Sequence, residues 1–367
     1  MPRVVGADPG TLSLDLCGLE DGRVFLEASV SAEGAARDPS ALVDRLTAAL
    51  PLDLIAAPSG YGLPLTPVAE LDDAALDLLL LMRKEDRGKP EMVGGLRAML
   101  GLMRERRLPA LVLPGVIHLP TVPAHRKVNR IDMGTADKLC VAALGIWDQA
   151  KRIGLPAAGT SFILIELGGA FTAALAVDRG RIVDGIGGTS GGLGYRALGT
   201  LDGEVAYALG TVRKSALFTG GAAYIAGNPD LPPAALAARA AEDPRARTAW
   251  DALLESVQKM VASLRVSLPA PREVLLSGRL SRVPAIVDAL AARLGTGVPV
   301  RVVGGFASGC KEAAQGAALI ADGLVGGRHR DLVEAMELRG AAGTLFDHLY
   351  GPGADTLRRG CGTPCES

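Results

Sequence analysis

The stretch from Val4 to Val24, VVGADPGTLSLDLCGLEDGRV, is written a second time from Phe162 as FILIELGGAFTAALAVDRGRI. At a constant offset of 158 positions Asp8 falls on Glu166, Gly10 on Gly168, Glu20 on Asp178, Gly22 on Gly180 and Arg23 on Arg181. Each copy reads as an apolar strand ending in an acid, a glycine turn, a second strand and a charged glycine hairpin. Such a repeat constrains the chain to two related halves that face each other, with an acid-glycine turn on each wall of a cleft.

The 367 residues suffice for two halves of ordinary size. Hydrophobic residues make up 49%, so the chain is globular, and with aromatics at only 4% its packing relies on Ala, Val, Leu and Gly. A formal net charge of −1, with Lys and Arg scattered, speaks against a nucleic-acid partner. No apolar run reaches the roughly 20 residues of a membrane span. The amino terminus enters a strand at once without a signal-peptide pattern, and Cys17, Cys140 and Cys310 lie singly in apolar segments, as reduced core thiols do. A cytoplasmic location is therefore expected.

Strand-like and helix-like segments alternate through both halves, which argues α/β layers, while the hairpins argue mixed sheets. The pattern predicts a helix over 38–50, a strand over 52–57, helices over 94–106 and 136–153, and extended segments over 110–113 and 116–118. After a linker at 154–160, the second half continues through the loop GIGGTSGGLG (185–194), a mostly helical stretch over 231–268, strands at 273–276 and 300–303, and a small-residue helix over 311–324. The expected division is 1–153 for the first domain, 154–350 for the second and 351–367 for a loose tail. The fold this spells is a duplicated ribonuclease-H-like domain with mixed five-stranded sheets flanked by helices.

The turn Asp8-Pro9-Gly10-Thr11 suits phosphate and metal chemistry. A carboxylate can hold Mg²⁺ directly or through water, Gly10 admits a phosphate close to the backbone, and Thr11 adds N–H and O–H donors. By itself such a turn is an ordinary strand end; the repeat gives it a counterpart in Glu166-Leu167-Gly168-Gly169, with Thr172 as the hydroxyl. A third turn, Ser277-Gly278-Arg279, joins a strand to a helix whose amino terminus favours anions. The loop Gly187-Gly188-Thr189-Ser190-Gly191-Gly192 offers N–H and hydroxyl donors for a further anion.

These three turns and the two small-residue helices resemble the phosphate 1, phosphate 2, adenosine and connecting-helix pattern of the acetate and sugar kinase, heat-shock chaperone ATPase and actin superfamily. More narrowly, VNRIDMGTADKLCVAALGIWDQAK and DGIGGTSGGLGYRALGTLDGEVAY look like a family of predicted butyrate kinases of unknown function. This resemblance implies an actin-like ATPase fold with an ATP cleft between its domains. Asp8 and Glu166 would organise Mg²⁺, Gly10, Thr11, Gly168, Gly169 and Thr172 would cradle phosphates, and Gly278, Arg279, Gly304 and Gly305 would bound the adenosine. It also implies an ATP- and Mg²⁺-dependent kinase acting on a small acceptor, with a homodimer as the assembly suggested by acetate kinases.

A carboxylate acceptor, as in acetate or butyrate kinases, needs cations to offset repulsion between anions, whereas a hydroxyl acceptor needs a base. Arg126, Lys127, Arg130, Asp132, Asp137 and Lys138 supply candidates for both, with Arg130, Asp137 and Lys138 favoured, and Thr189, Ser190, Gly191 and Asp202 are candidates for acceptor binding. The carboxylate is the favoured acceptor; the alternatives are a hydroxyl kinase, another ATP-using transferase, or a nucleotide-switched regulatory ATPase. One departure stands out. Where acetate kinases place a phosphate-binding Arg, the segment Leu198-Gly199-Thr200-Leu201-Asp202-Gly203-Glu204 has Leu201. No metal role is expected for His118 and His125, and His329 and His348 read as surface residues.

Overall fold

The computed structural model describes residues 1–10, 13–83, 94–295 and 297–360. Its first sheet contains β1 (Arg3–Pro9), β2 (Ser13–Glu20), β3 (Arg23–Ser31), β4 (Leu54–Ala57), β5 (Thr66–Pro67) and β6 (Ala110–Val112), in the order β3-β2-β1-β4-β6-β5. The second contains β7 (Ser161–Leu167), β8 (Thr172–Asp178), β9 (Arg181–Ile186), β10 (Val274–Ser277) and β11 (Val300–Val302), in the order β11-β10-β7-β8-β9. Both sheets are mixed: β1 pairs antiparallel with β2 and parallel with β4, and β7 repeats this with β8 and β10. The expected five-stranded plan holds in the second sheet, while the first adds the two-residue β5.

The repeat is structural down to the residue. Strand β7 starts and ends 158 positions after β1, and β9 starts 158 after β3. Both hairpins turn through two residues of positive φ, Asp21 at 49° with Gly22 at 73° and Arg179 at 51° with Gly180 at 72°. Such turns match the twist of the strands they join, and glycine at the second position removes the steric cost. Even the irregularity is copied: the register shifts at Gly18/Leu19 in β2 and at Ala176/Val177 in β8.

The continuous apolar runs of β1 and β7 are central strands, buried on both faces. Along β7 the side chains alternate between two cores. Phe162 and Leu164 join the core beneath the first sheet; Ile163 and Ile165 join the one covered by the helices Pro233–Arg239, Pro244–Leu264 and Pro284–Leu294. Between the sheets lie the helices Ala136–Ile153 and Glu312–Leu324, packed on each other. A Cβ on Gly316 would lie 1.7 Å from the Cys140 carbonyl oxygen, and one on Gly6 would lie 2.2 Å from the Ala318 nitrogen. Only glycine permits backbones this close. Leu332, Val333, Met336, Leu345 and Phe346 also belong to the first core, so the chain after β11 returns to the half in which it began.

Several local expectations change. Residues 116–118 form a 3-10 turn, with Leu119 N–H bonded back to the Val116 carbonyl. The tail contains a helix, Ala354–Gly360, while Cys361 and Cys365 lie outside the described residues. His329 is half-buried, its Nδ1 2.8 Å from the Oδ2 of fully buried Asp322. Cys17, Cys140 and Cys310 are free and buried, as expected. Among the described residues no helix is long and apolar enough to cross a membrane.

Candidate active site

The acid-glycine turns open onto a cleft of about 880 Å³ between the two sheets. Its floor comes from strand ends and helix starts, where chain direction changes and backbone groups are left free. Asp8 lies one residue before the end of β1 and Glu166 one before the end of β7, Asp137 and Lys138 open the helix Ala136–Ile153, and Lys311 occupies the N-cap position of the helix Glu312–Leu324.

Asp8 stands opposite Asp15 in the β1–β2 register, an unfavourable cross-strand pair of like charges. Lys311 mediates between them, 3.3 Å from Asp15 Oδ2 and 4.0 Å from Asp8 Oδ2, and it donates to the Ser13 carbonyl at 3.1 Å. Ser13 Oγ donates to Asp15 at 2.6 Å. Asp8 Oδ1 is buried with no hydrogen-bond partner. Burial, reinforced by the neighbouring charge of Asp137, pushes the Asp8 carboxyl up to about 7. Lys311 and Lys138 pull the other way without cancelling this, and Oδ1 is left without a partner.

Lys138 ties the halves together. From a helix of the first half its ammonium reaches Asp137 at 2.5 Å and, on the second sheet, Glu166 at 2.9 Å. Burial alone would lower the Lys138 pKa, but the two carboxylates overcome it and hold the group charged. Burial likewise works to raise Asp137, and Lys138 with the Thr135 hydroxyl brings it below the usual carboxylate range. For Glu166 burial prevails over Lys138, and the carboxyl is raised. Thr135 holds the N-cap position but spends its hydroxyl on Asp137 rather than on a helix N–H.

Glycine keeps the turns open. A Cβ on Gly278, where φ is +83°, would meet the Leu167 carbonyl oxygen at 2.5 Å and Glu166 Oε1 at 2.7 Å. One on Gly10 would strike the Lys311 ammonium at 2.4 Å. The cleft therefore gathers Asp8, Gly10, Asp137, Lys138, Glu166, Gly168, Gly169, Thr189, Gly278 and Arg279 from the sequence-based candidates. Asp132, from the same charged cluster as Asp137 and Lys138, lines it too, and Asp15, Lys311, Tyr61, Phe171 and Phe218 join them with no such signal in the sequence.

Other candidates fall elsewhere. Thr11 lies outside the described residues. Thr172 is buried in the sheet, in register with Leu167, and does not line the cleft. Gly304 packs against Asp148 and Gly305 against Gln315, so the rim is formed by Ser308–Ala313 instead. Arg130 is exposed away from the cleft. Asp202 is spent capping the helix Gly203–Leu209 through the Glu204 N–H at 2.8 Å. Ser190 turns into its own loop and donates to the Asp132 carbonyl at 2.5 Å, and Gly191 packs against Ile186 and Met260.

Residues 6–350 match the model of a family described as "Protein of unknown function (DUF1464)". The chain belongs to that family. No curated protein matches the sequence. Among solved structures, a propionate kinase from Francisella tularensis subsp. tularensis SCHU S4 shares 13% identity over 86% of this chain and 99% of its own, with a TM-score of 0.59. Porphyromonas gingivalis acetate kinase shares 13% over 87% and 98%, with a TM-score of 0.58. Acetate kinase from Entamoeba histolytica shares 12% over 78% and 86%, with a TM-score of 0.55. At these identities the DUF1464 chain shares their fold, the duplicated actin-like ATPase fold, and the likeness extends no further.

Proposed function

We propose that this DUF1464 protein is an ATP- and Mg²⁺-dependent phosphotransferase, a kinase that passes the γ-phosphoryl group to a small molecule held in the cleft. The observation that carries this reading is the facing pair of duplicated acid-glycine turns, with Gly278 closing on the second and the unpartnered Asp8 Oδ1 between the walls.

The donor set fits a magnesium nucleotide. Among the described residues there is no closed cluster of three or more His, Cys, Asp or Glu that could hold a metal by itself. Mg²⁺ is commonly held by one or two carboxylates together with waters and phosphate oxygens. Asp8 and Glu166 would be those carboxylates, directly or through water. The ion, when bound, supplies charge neutralisation on the transferring phosphates. The chain's own part is positioning. The turns at Gly10 and at Gly168-Gly169 present backbone to phosphates, Gly278 and Arg279 border the nucleotide end, and Lys138 fixes the distance between the walls by holding Glu166 to Asp137.

The acceptor has two readings. A carboxylate, expected from the sequence, is the substrate class in the names of the acetate and propionate kinases that share this fold. A hydroxyl is favoured by the anionic, aromatic wall around Asp132. Either way, Mg-ATP should give magnesium-dependent ADP release in a coupled assay. Asp8→Ala should lower turnover at least about 10³-fold while its circular dichroism stays that of the wild type; full activity in this variant would refute the reading.

A further inference from the structure

We propose that the phosphoryl acceptor is a small neutral polyhydroxylated compound, and that Asp132 takes up the proton of the hydroxyl that attacks. This deepens the kinase reading and rests on it. The wall of the cleft beyond the phosphate turns is built from Asp132, Thr189, Tyr61, Phe171 and Phe218. Phe171 and Phe218 meet edge to face with ring centroids 4.8 Å apart. The Lys214 ammonium lies 5.0 Å from the centre of the Tyr61 ring, and it donates to the Leu80 and Leu81 carbonyls at 2.8 and 3.0 Å, which draws its charge onto a helix end.

Asp132 is buried, 8% exposed, and its carboxylate is held in place. Oδ2 accepts from the Thr189 N–H at 2.9 Å and hydroxyl at 2.8 Å, while Oδ1 accepts the Gly134 N–H at 3.1 Å. A carboxylate oxygen has two lone-pair positions, so Oδ1 retains one for a ligand. Asp137, the base expected from the sequence, is paired with the Lys138 ammonium at 2.5 Å, which makes it a weaker proton acceptor than an unpaired carboxylate. Asp202 lies outside the cleft.

Charge then selects the acceptor. Among the described residues lining the cleft, the cations are Lys138, Lys311, Arg279 and Arg282. Lys138 is bound by Asp137 and Glu166, Lys311 by Asp15, and Arg282 by Glu312 at 3.0 Å; Arg279 belongs to the Gly278 turn. None stands on the Asp132 wall. A carboxylate placed there would meet the Asp132 charge with only Lys214 nearby, over the Tyr61 ring and already bonded to the Leu80 and Leu81 carbonyls. A neutral hydroxyl donates to Asp132, and the C–H face of a polyol packs on the aromatic rings. In the step itself the hydroxyl oxygen forms a bond to the γ-phosphorus as that atom's bond to the β,γ-bridging oxygen breaks. The bond's electron pair leaves on ADP, and the hydroxyl proton passes to Asp132.

The test follows ADP release from Mg-ATP in water alone, with glycerol as a neutral polyol, and with acetate and propionate in the presence of hydroxylamine. Wild type and Asp132→Asn are compared. Wild type should release ADP in water and faster with glycerol, neither carboxylate should stimulate it, and no hydroxamate should form. Asp132→Asn should lower kcat about 10²-fold or more at unchanged KM for ATP, a split that a collapsed site would not give. Acetate- or propionate-dependent ADP release with trapped hydroxamate would overturn the inference from wild type alone, even if the variant failed to fold. So would turnover within threefold of wild type in a folded Asp132→Asn, or a wild type that binds Mg-ATP yet releases ADP neither in water nor with glycerol. Failure to bind Mg-ATP at all would instead remove the kinase reading on which the inference rests.

Discussion

Replacing Asp8 with Asn should make the protein more stable than wild type at alkaline pH while destroying its activity. In the folded state the Asp8 carboxyl is pushed up to about 7 by burial and by Asp137, against an ordinary value of 3.8. Between those two values the folded chain binds more protons than the unfolded one, so stability falls as pH rises. At 1.36 kcal/mol per unit, the full cost of ionising Asp8 in place is about 4 kcal/mol, and more than half of it accrues between pH 5 and pH 8. Asn keeps the shape and never ionises. Equilibrium urea denaturation of both proteins at pH 5 and pH 8, in EDTA, should therefore show the stability gap moving by about 2–3 kcal/mol in favour of Asp8→Asn as pH rises. Adding Mg²⁺ at pH 8 should narrow the gap from the wild-type side, since an ion bound at Asp8 stabilises only the chain that carries the charge. A gap that stays constant with pH, within about 0.5 kcal/mol, would refute the picture of a dry, cation-seeking carboxylate.

Lys138→Met should cost about 3–5 kcal/mol in the same denaturation assay, because it strands the buried Asp137 and Glu166 charges; a cost under about 1 kcal/mol would show that water reaches them. Gly316→Ala places a methyl against the Cys140 carbonyl and should destabilise by more than about 3 kcal/mol. Gly101→Ala, in the helix Gly94–Glu105 with no atom within 4 Å of the new Cβ, should stabilise by about 0.5–1 kcal/mol, and thermal melts of the pair read both signs. Gly278→Ala forces a left-handed backbone and a clash with the Leu167 carbonyl, so Mg-ATP affinity should fall at least about tenfold by calorimetry.

The parts of this structure legible in the sequence are those set by local chemistry. Asp21-Gly22 and Arg179-Gly180 announce their hairpins because few residues tolerate positive φ, and the acid-glycine turns stand out because their partners are neighbours in the chain. What escaped is what only the folded chain brings together. Asp15 and Lys311, 296 positions apart, meet because β2 lies beside the helix Glu312–Leu324. The pattern Ser13-Leu14-Asp15 held a hint, a polar pair two residues apart on one face of an otherwise apolar strand. Gly304 and Gly305, which the resemblance assigned to the adenosine border, leave no room there because Asp148 and Gln315 fill that space. Asp202, read as an acceptor contact, serves a helix N-terminus, a common use of Asp that a sequence cannot distinguish from a site.

The proposed phosphoryl transfer requires a magnesium nucleotide bound between the two repeats. Isothermal titration of Mg-ATP into wild type and Asp8→Ala tests it most directly. One ATP per chain, with affinity dependent on magnesium and at least about tenfold weaker in Asp8→Ala, is the predicted result. Absence of binding to wild type, or equal affinity in both proteins with and without magnesium, would contradict it.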